Sequence, residues 1–156
     1  MERLTQNSLY DNEILDYVKR LKIPYFIGVK MRDELSSLQP NAKECGILNL
    51  NTHLQKGSHW TCWYKKGKER YYFDSFAEPP PRELLCYLKT STEMIEEIPA
   101  IKCNSVTVQH DQSIECGSLC LYLLKQMSEG IPFSHIIEFL EKRYKKIPTP
   151  DLFVQI

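Results

Sequence analysis

Two aromatic, β-prone runs stand either side of Lys66-Gly67: His59 to Lys65 and Lys68 to Phe76. Aromatic and β-branched residues favour strands, and Gly in a short connection favours a hairpin. A hairpin centred on Lys66-Gly67 sets Trp60 opposite Phe73, Cys62 opposite Tyr71 and Tyr64 opposite Glu69. That face is mostly apolar and is expected to meet the core. The other face then carries His59 opposite Asp74, Thr61 opposite Tyr72 and Trp63 opposite Arg70. Directly opposed Cβ atoms lie about 4.5–5.5 Å apart, so His59 and Asp74 are predicted to share a hydrogen bond. A slip of one residue would put them on opposite faces.

The remaining elements are read around this hairpin. Ser8 is expected to cap a helix over about 9–21, with Tyr10, Ile14, Val18 and Leu21 on one face and Pro24 ending it. Residues 25–31 and 45–50 read as strands, and 51–58 as a polar loop holding His53. Residues 82–89 read as a helix burying Leu84, Leu85 and Leu88, and 105–109 as a strand. A helix opens at about Cys116 and runs to Ser128. Its apolar residues surround it, which predicts a central place in the core. Ser134 is expected to cap a last helix over about 135–146, ended by Pro148.

The chain of 156 residues is expected to form one domain over 1–156, large enough to bury a core without disulfides. Lys+Arg and Asp+Glu are each 20, so no global field draws the chain to nucleic acid or an anionic membrane. The start, Met1-Glu2-Arg3-Leu4, has no signal-peptide pattern, and the most apolar stretch, Leu119 to Leu124, is far too short to span a bilayer. An intracellular protein with free thiols at its 6 cysteines is expected.

Four positions carry candidate catalytic chemistry. Cys116 stands where a polar loop becomes a helix, and the free N–H groups and dipole of a helix start stabilise a thiolate. The alternative is that Cys116 only packs, as free Cys often does. A carboxylate at Asp74 on the Nδ1–H of His59 would leave Nε2 free to take a proton from a nearby thiol. Gln109, at the end of the expected strand, can offer its amide to an oxyanion beside the Cys116 N–H, with Gln112 as a rival. Gly117 lets another chain approach closely. Cys103, His110, Cys116 and Cys120 also make a zinc alternative, weakened by the absence of a Cys-x-x-Cys pair; no metal is expected.

The order His-Trp, an aromatic strand ending in Asp, then Gln, then Cys-Gly opening a helix resembles the adenain-like cysteine peptidases, the group of the adenovirus maturation protease. Ubiquitin-like-protein-specific proteases share that order. The strings are Gly57-Ser58-His59-Trp60, Tyr72-Phe73-Asp74-Ser75-Phe76, and Gln109 followed by Glu115-Cys116-Gly117-Ser118-Leu119-Cys120. Gly28 to Leu35, Glu44 to Leu50 and Pro79 to Leu84 resemble more narrowly the proteases of adenovirus-like DNA viruses, virophages and Polinton-type transposons. The likeness covers about residues 22–129.

The resemblance implies an α+β, papain-like or adenain-like fold, with a mixed central sheet and the nucleophile at the N-terminus of a central helix. It makes Cys116 the nucleophile, His59 the base, Asp74 its orienter and Gln109 the oxyanion donor. It implies cleavage of capsid or other virion precursors near small residues such as Gly, with Trp60 as the cleft wall. It places the protein in host cytoplasm or nucleus, or packaged in the virion. A ubiquitin or ubiquitin-like deconjugase is the alternative; a third reading is an inactive peptidase fold that binds. Adenovirus proteases use DNA and a disulfide-linked peptide as activators. Cys103 is the counterpart the resemblance offers for the linking cysteine, at a spacing that departs from theirs. The zero net charge points against DNA, so no required cofactor is expected.

Overall fold

The computed structural model describes residues 1–51, 59–89 and 101–156. His53, Gly57 and Ser58 lie outside the described residues. In chain order the elements are β1 (Glu2–Arg3), α1 (Asp11–Leu21), β2 (Phe26–Met31), a 3-10 helix (Arg32–Ser37), β3 (Lys43–Asn49), β4 (Trp60–Lys66), β5 (Glu69–Phe73), α2 (Arg82–Leu88), β6 (Lys102–Cys103), α3 (Cys116–Ser128), α4 (Phe133–Tyr144) and β7 (Phe153–Val154). Strands β2-β3-β4-β5-β6 form a mixed sheet, parallel at β2–β3 and β5–β6 and antiparallel between. β1 and β7 pair antiparallel as a separate ribbon near the two chain ends.

The hairpin forms, in a register two residues from the expected one. Cys62 pairs with Phe73, Trp63 with Tyr72, Tyr64 with Tyr71, and Lys66 with Glu69. The connection is therefore Gly67-Lys68 rather than Lys66-Gly67. Gly67 has φ +61°, and two-residue hairpin loops need positive φ at a central position, which Gly adopts without strain. Moving the loop by one residue changes every partner by two positions. Because side chains alternate with period two, each still points to its expected side.

Both faces of the sheet are covered, which corrects the one-sided expectation. On one face Ile47, Cys62 and Phe73 pack with Leu119, Cys120 and Leu124 of α3. On the other, Leu48, Trp63 and Tyr72 pack with Leu84 and Leu88 of α2 and with Leu35. Each fully buried Leu contributes about 1.5–3 kcal/mol. Gly46, opposite Trp63, is what admits the indole: a Cβ there would lie 2.4 Å from Trp63 Cη2. Trp63 Nε1 in turn donates to the buried Glu44 at 2.9 Å, and the Tyr87 hydroxyl of α2 donates to the same carboxylate at 2.7 Å.

α3 spans the residues expected of it, and Cys116 to Lys125 are all buried. Other boundaries move. Tyr10, not Ser8, is the N-cap of α1, where the Glu13 carboxylate accepts the Tyr10 backbone N–H at 2.9 Å. Pro132, not Ser134, precedes α4; proline is pre-set for a helix start and lacks a donor to satisfy. Leu85 is 44% exposed on the outer side of α2, unlike Leu84 and Leu88. The strand expected at 105–109 is replaced by β6 and an irregular segment, because Val108 N–H and Thr107 Oγ1 both donate to the Ser75 carbonyl instead of to a ladder. Among the described residues no helix is long and apolar enough to cross a membrane.

Candidate active site

Cys116 is the first residue of α3, and no side chain caps the helix start. Its neighbouring N–H groups are therefore left to whatever occupies the space before them. That space is a cleft of about 730 Å³, lined among others by His59, Trp60, Phe76, Gln109 and Cys116.

His59 immediately precedes β4, and its carbonyl extends the ladder by accepting Leu50 N–H at 3.2 Å. Asp74 immediately follows β5 and is buried. The two meet through His59 Nε2 and Asp74 Oδ1 at 2.8 Å. The observed register no longer sets them directly opposite, but a shift of two keeps both side chains on one face, and the pair survives it. The ring is turned opposite to the expectation: Nε2 takes the carboxylate. Cys116 lines the same cleft and interacts with the His59 ring. Burial disfavours a charged ring here. The Asp74 hydrogen bond, that to Cys116 and the charges of both outweigh it, and the His59 pKa rises from 6.5 to about 9.

Neighbours that sequence reasoning did not single out fix this pair. Asn104 brackets the Asp74 backbone: its Oδ1 accepts the Asp74 N–H at 3.2 Å, and its Nδ2 donates to the Asp74 carbonyl at 2.6 Å. Phe76 N–H donates to Asp74 Oδ1 at 2.8 Å, and the Phe76 ring lies 5.1 Å from that of His59. Phe76 belonged to the aromatic motif already noted; a lone Asn thirty residues from its partner carried no local signal.

Gln109 is buried beside the cleft. Its Nε2 donates to the Ser113 carbonyl at 2.8 Å, and its Oε1 accepts from Ser75 Oγ. An amide nitrogen has two donors, so one remains beyond the Ser113 bond. Gln112 is exposed and is absent from the cleft lining. Trp60 lines the cleft, with its indole N–H donating to the Leu9 carbonyl at 2.9 Å. Gly117 serves the chain itself: a Cβ there would lie 3.2 Å from Trp60 Cδ1 and 3.3 Å from Leu9 Cδ1. It admits Trp60 and Leu9 rather than facing the cleft.

The residues of the zinc alternative are dispersed. Cys120 Sγ points at the Trp60 carbonyl at 3.5 Å, Cys103 is exposed beside the Ile101 carbonyl, and His110 Nε2 donates to the Tyr144 carbonyl at 3.0 Å. Among the described residues no group of three His, Cys, Asp or Glu is placed to hold a metal. All six cysteines are free, and burial pushes the Cys120 thiol well up and the Cys45 thiol to about 12.

No protein-family model and no curated protein matches the sequence. Solved structures do match the fold. The ASFV pS273R protease superposes with a TM-score of 0.59 at 16% identity, covering 92% of this chain and 68% of that one. SUMO protease Ulp1, with its catalytic cysteine oxidized to a sulfinic acid, superposes with a TM-score of 0.52 at 16% identity, covering 89% of this chain and 80% of that one. The chain therefore has the α+β fold of these proteases, the architecture that the adenain-like resemblance implied.

Proposed function

We propose that this chain is a cysteine endopeptidase, with Cys116 as nucleophile, His59 as base, Asp74 as its orienter and Gln109 as oxyanion donor. The observation that carries the reading is the 2.8 Å His59–Asp74 pair in one cleft with Cys116, which stands at the open start of a buried helix and interacts with the His59 ring. The raised His59 pKa keeps the ring charged at neutral pH, and an imidazolium beside a sulfur favours the thiolate.

The thiolate attacks the scissile carbonyl carbon. Charge develops on the carbonyl oxygen, where the Cys116 N–H and the second Gln109 amide donor can meet it. Collapse breaks the C–N bond, and His59 gives its proton to the leaving amine. His59 then takes a proton from water, the hydroxide attacks the thioester, and the acid leaves as Cys116 recovers its thiolate. Trp60 walls the cleft beside the nucleophile, which supports selection of small residues such as Gly at the cut bond.

The favoured substrates are capsid or other virion precursors, cut in the host cell or in the packaged particle, a reading that the sequence resemblance supports; the zero net charge supports a protease that needs no DNA cofactor. Likeness to a SUMO protease supports a second reading, deconjugation of a ubiquitin-like protein. An electrophilic peptide ending in Gly-Gly and a full-length ubiquitin-like probe of the same warhead separate them. Labelling of wild type by the peptide, none in Cys116→Ala, and no preference for the folded probe is the expected result. A large preference for the folded probe would favour deconjugation, and equal labelling of Cys116→Ala would remove Cys116 as nucleophile.

A further inference from the structure

Arg143 belongs by sequence to a basic run on the last helix, yet only 3% of its side chain is exposed. Its guanidinium forks onto Glu115, with Nη1–Oε1 at 3.1 Å and Nη2–Oε2 at 2.8 Å, and its Nε donates to the Pro150 carbonyl at 2.8 Å. Glu115 is the N-cap of α3 and immediately precedes Cys116. The same loop is held at its other end, where His110 donates to the Tyr144 carbonyl and stacks on the Tyr144 ring at 4.2 Å. Within the loop, Ser113 takes the Gln109 amide. α4 thus grips both ends of the segment that carries the nucleophile and the oxyanion donor.

The charge matters as much as the grip. A carboxylate one residue before a thiolate, at a helix start, opposes it; a buried guanidinium on that carboxylate cancels the opposition. We propose that Arg143 is a positioning residue of the active site, which through its forked ion pair to Glu115 fixes the loop from Gln109 to Cys116 and neutralises the acidic charge beside the nucleophile. This rests on Cys116 being the nucleophile. The groups that face Cys116 are His59, Asp74 behind it, Cys120 one turn along α3, and Glu115 with Arg143; Asp11, Lys30, Glu34 and Asp111 also line the cleft.

The test is the pH profile of Cys116 alkylation by iodoacetamide, read by mass spectrometry, in a chain whose exposed Cys86 and Cys103 are replaced by Ser. Arg143→Met leaves the carboxylate unpaired and should move the inflection up by roughly one pH unit. It should also lower kcat by about tenfold, with KM within about twofold. Glu115→Gln leaves the guanidinium uncompensated and should move the inflection down. The double variant Glu115→Gln/Arg143→Met should return it close to the parent value. A merely structural pin would lower Tm and leave the inflection where it was, and that result overturns the proposal, as does a shift of the same sign in both single variants. Where Arg143→Met does not fold, the sign of the Glu115→Gln shift decides. Failure of the underlying reading looks different: Cys116 of the parent then alkylates like an ordinary thiol, with no inflection below about 8.5.

Discussion

His59 links the geometry of the site to pH. Its pKa rises to about 9 because the Asp74 hydrogen bond, with that to Cys116, outweighs burial. A group whose folded pKa is raised stabilises the fold fully below its unfolded value and loses that contribution as pH climbs through the folded value. The charged ring therefore adds stability below pH 6.5 that declines from there to about 9 and is absent above it. Activity that depends on the imidazolium should have its alkaline limb near 9, and Asp74→Asn should move that limb to lower pH. A limb that stays in place in Asp74→Asn would uncouple the two residues. Cys116→Ala should abolish turnover while leaving the fold intact, whereas Cys120→Ala, buried against the Trp60 carbonyl, should retain much of it; circular dichroism and a fluorogenic peptide read both. Gln109→Ala should lower kcat by roughly 10²–10³ with little change in KM, because an oxyanion donor acts in the transition state. A change confined to KM would make Gln109 a substrate-binding residue.

At the scale of elements, the hairpin shows what side-chain alternation protects. The Gly67-Lys68 loop changes every partner, but His59 and Asp74 remain on one face because the displacement is even. Packing against β3 is less forgiving. Trp63 is fully buried, its indole N–H is committed to Glu44, and its ring lies over Gly46. Gly46→Ala should therefore cost about 1–3 kcal/mol, the usual penalty for overpacking a full core. Urea unfolding measures it, and a loss under half a kcal/mol would mean that the sheet can open at β3–β4. The start of α3 is held in a comparable way from outside, with Leu9 and Trp60 seated on Gly117 and Ser118 Oγ donating to the Thr5 carbonyl.

Over the whole molecule, the N-terminal segment, the end of β2, the central hairpin and the 109–116 loop line one cleft, and the last helix holds that loop through His110 and Glu115. The sequence holds two short basic runs, Lys65, Lys66, Lys68 and Arg70 about the hairpin turn and Lys142, Arg143, Lys145 and Lys146 near the last helix, and burial dismantles both. Lys65, Arg70 and Arg143 are buried, which leaves Lys66 and Lys68 exposed at the hairpin tip, Lys142 on α4, and Lys145 and Lys146 just beyond its end. Of these, Lys142 and Lys145 pair with Glu138 at 3.4 Å and Glu141 at 3.7 Å. Peptidase activity at about 0.15 M salt should accordingly be indifferent to added DNA. A several-fold activation that falls with salt, at a slope of about −0.9 per phosphate neutralised, and that is lost on neutralising Lys142 and Lys145 would show a site that these lysines build.

Local sequence determined the elements and their sidedness. Apolar residues all round Cys116 to Ser128 require a buried helix, whatever packs on it, and period two in the hairpin puts His59 with Asp74 on one face. The motif order was also sufficient to imply the α+β fold that the solved structures share. What pattern does not contain is which distant group occupies the space beside each side chain. Only the tertiary structure turned the His59 ring so that Nε2 meets the carboxylate, seated Trp60 and Leu9 on Gly117, and set Asn104 on the Asp74 backbone. Only it drew Arg143 inward to Glu115. Two residues far apart in the chain have no periodicity to tie them, and a buried charge finds its partner only when both elements have docked.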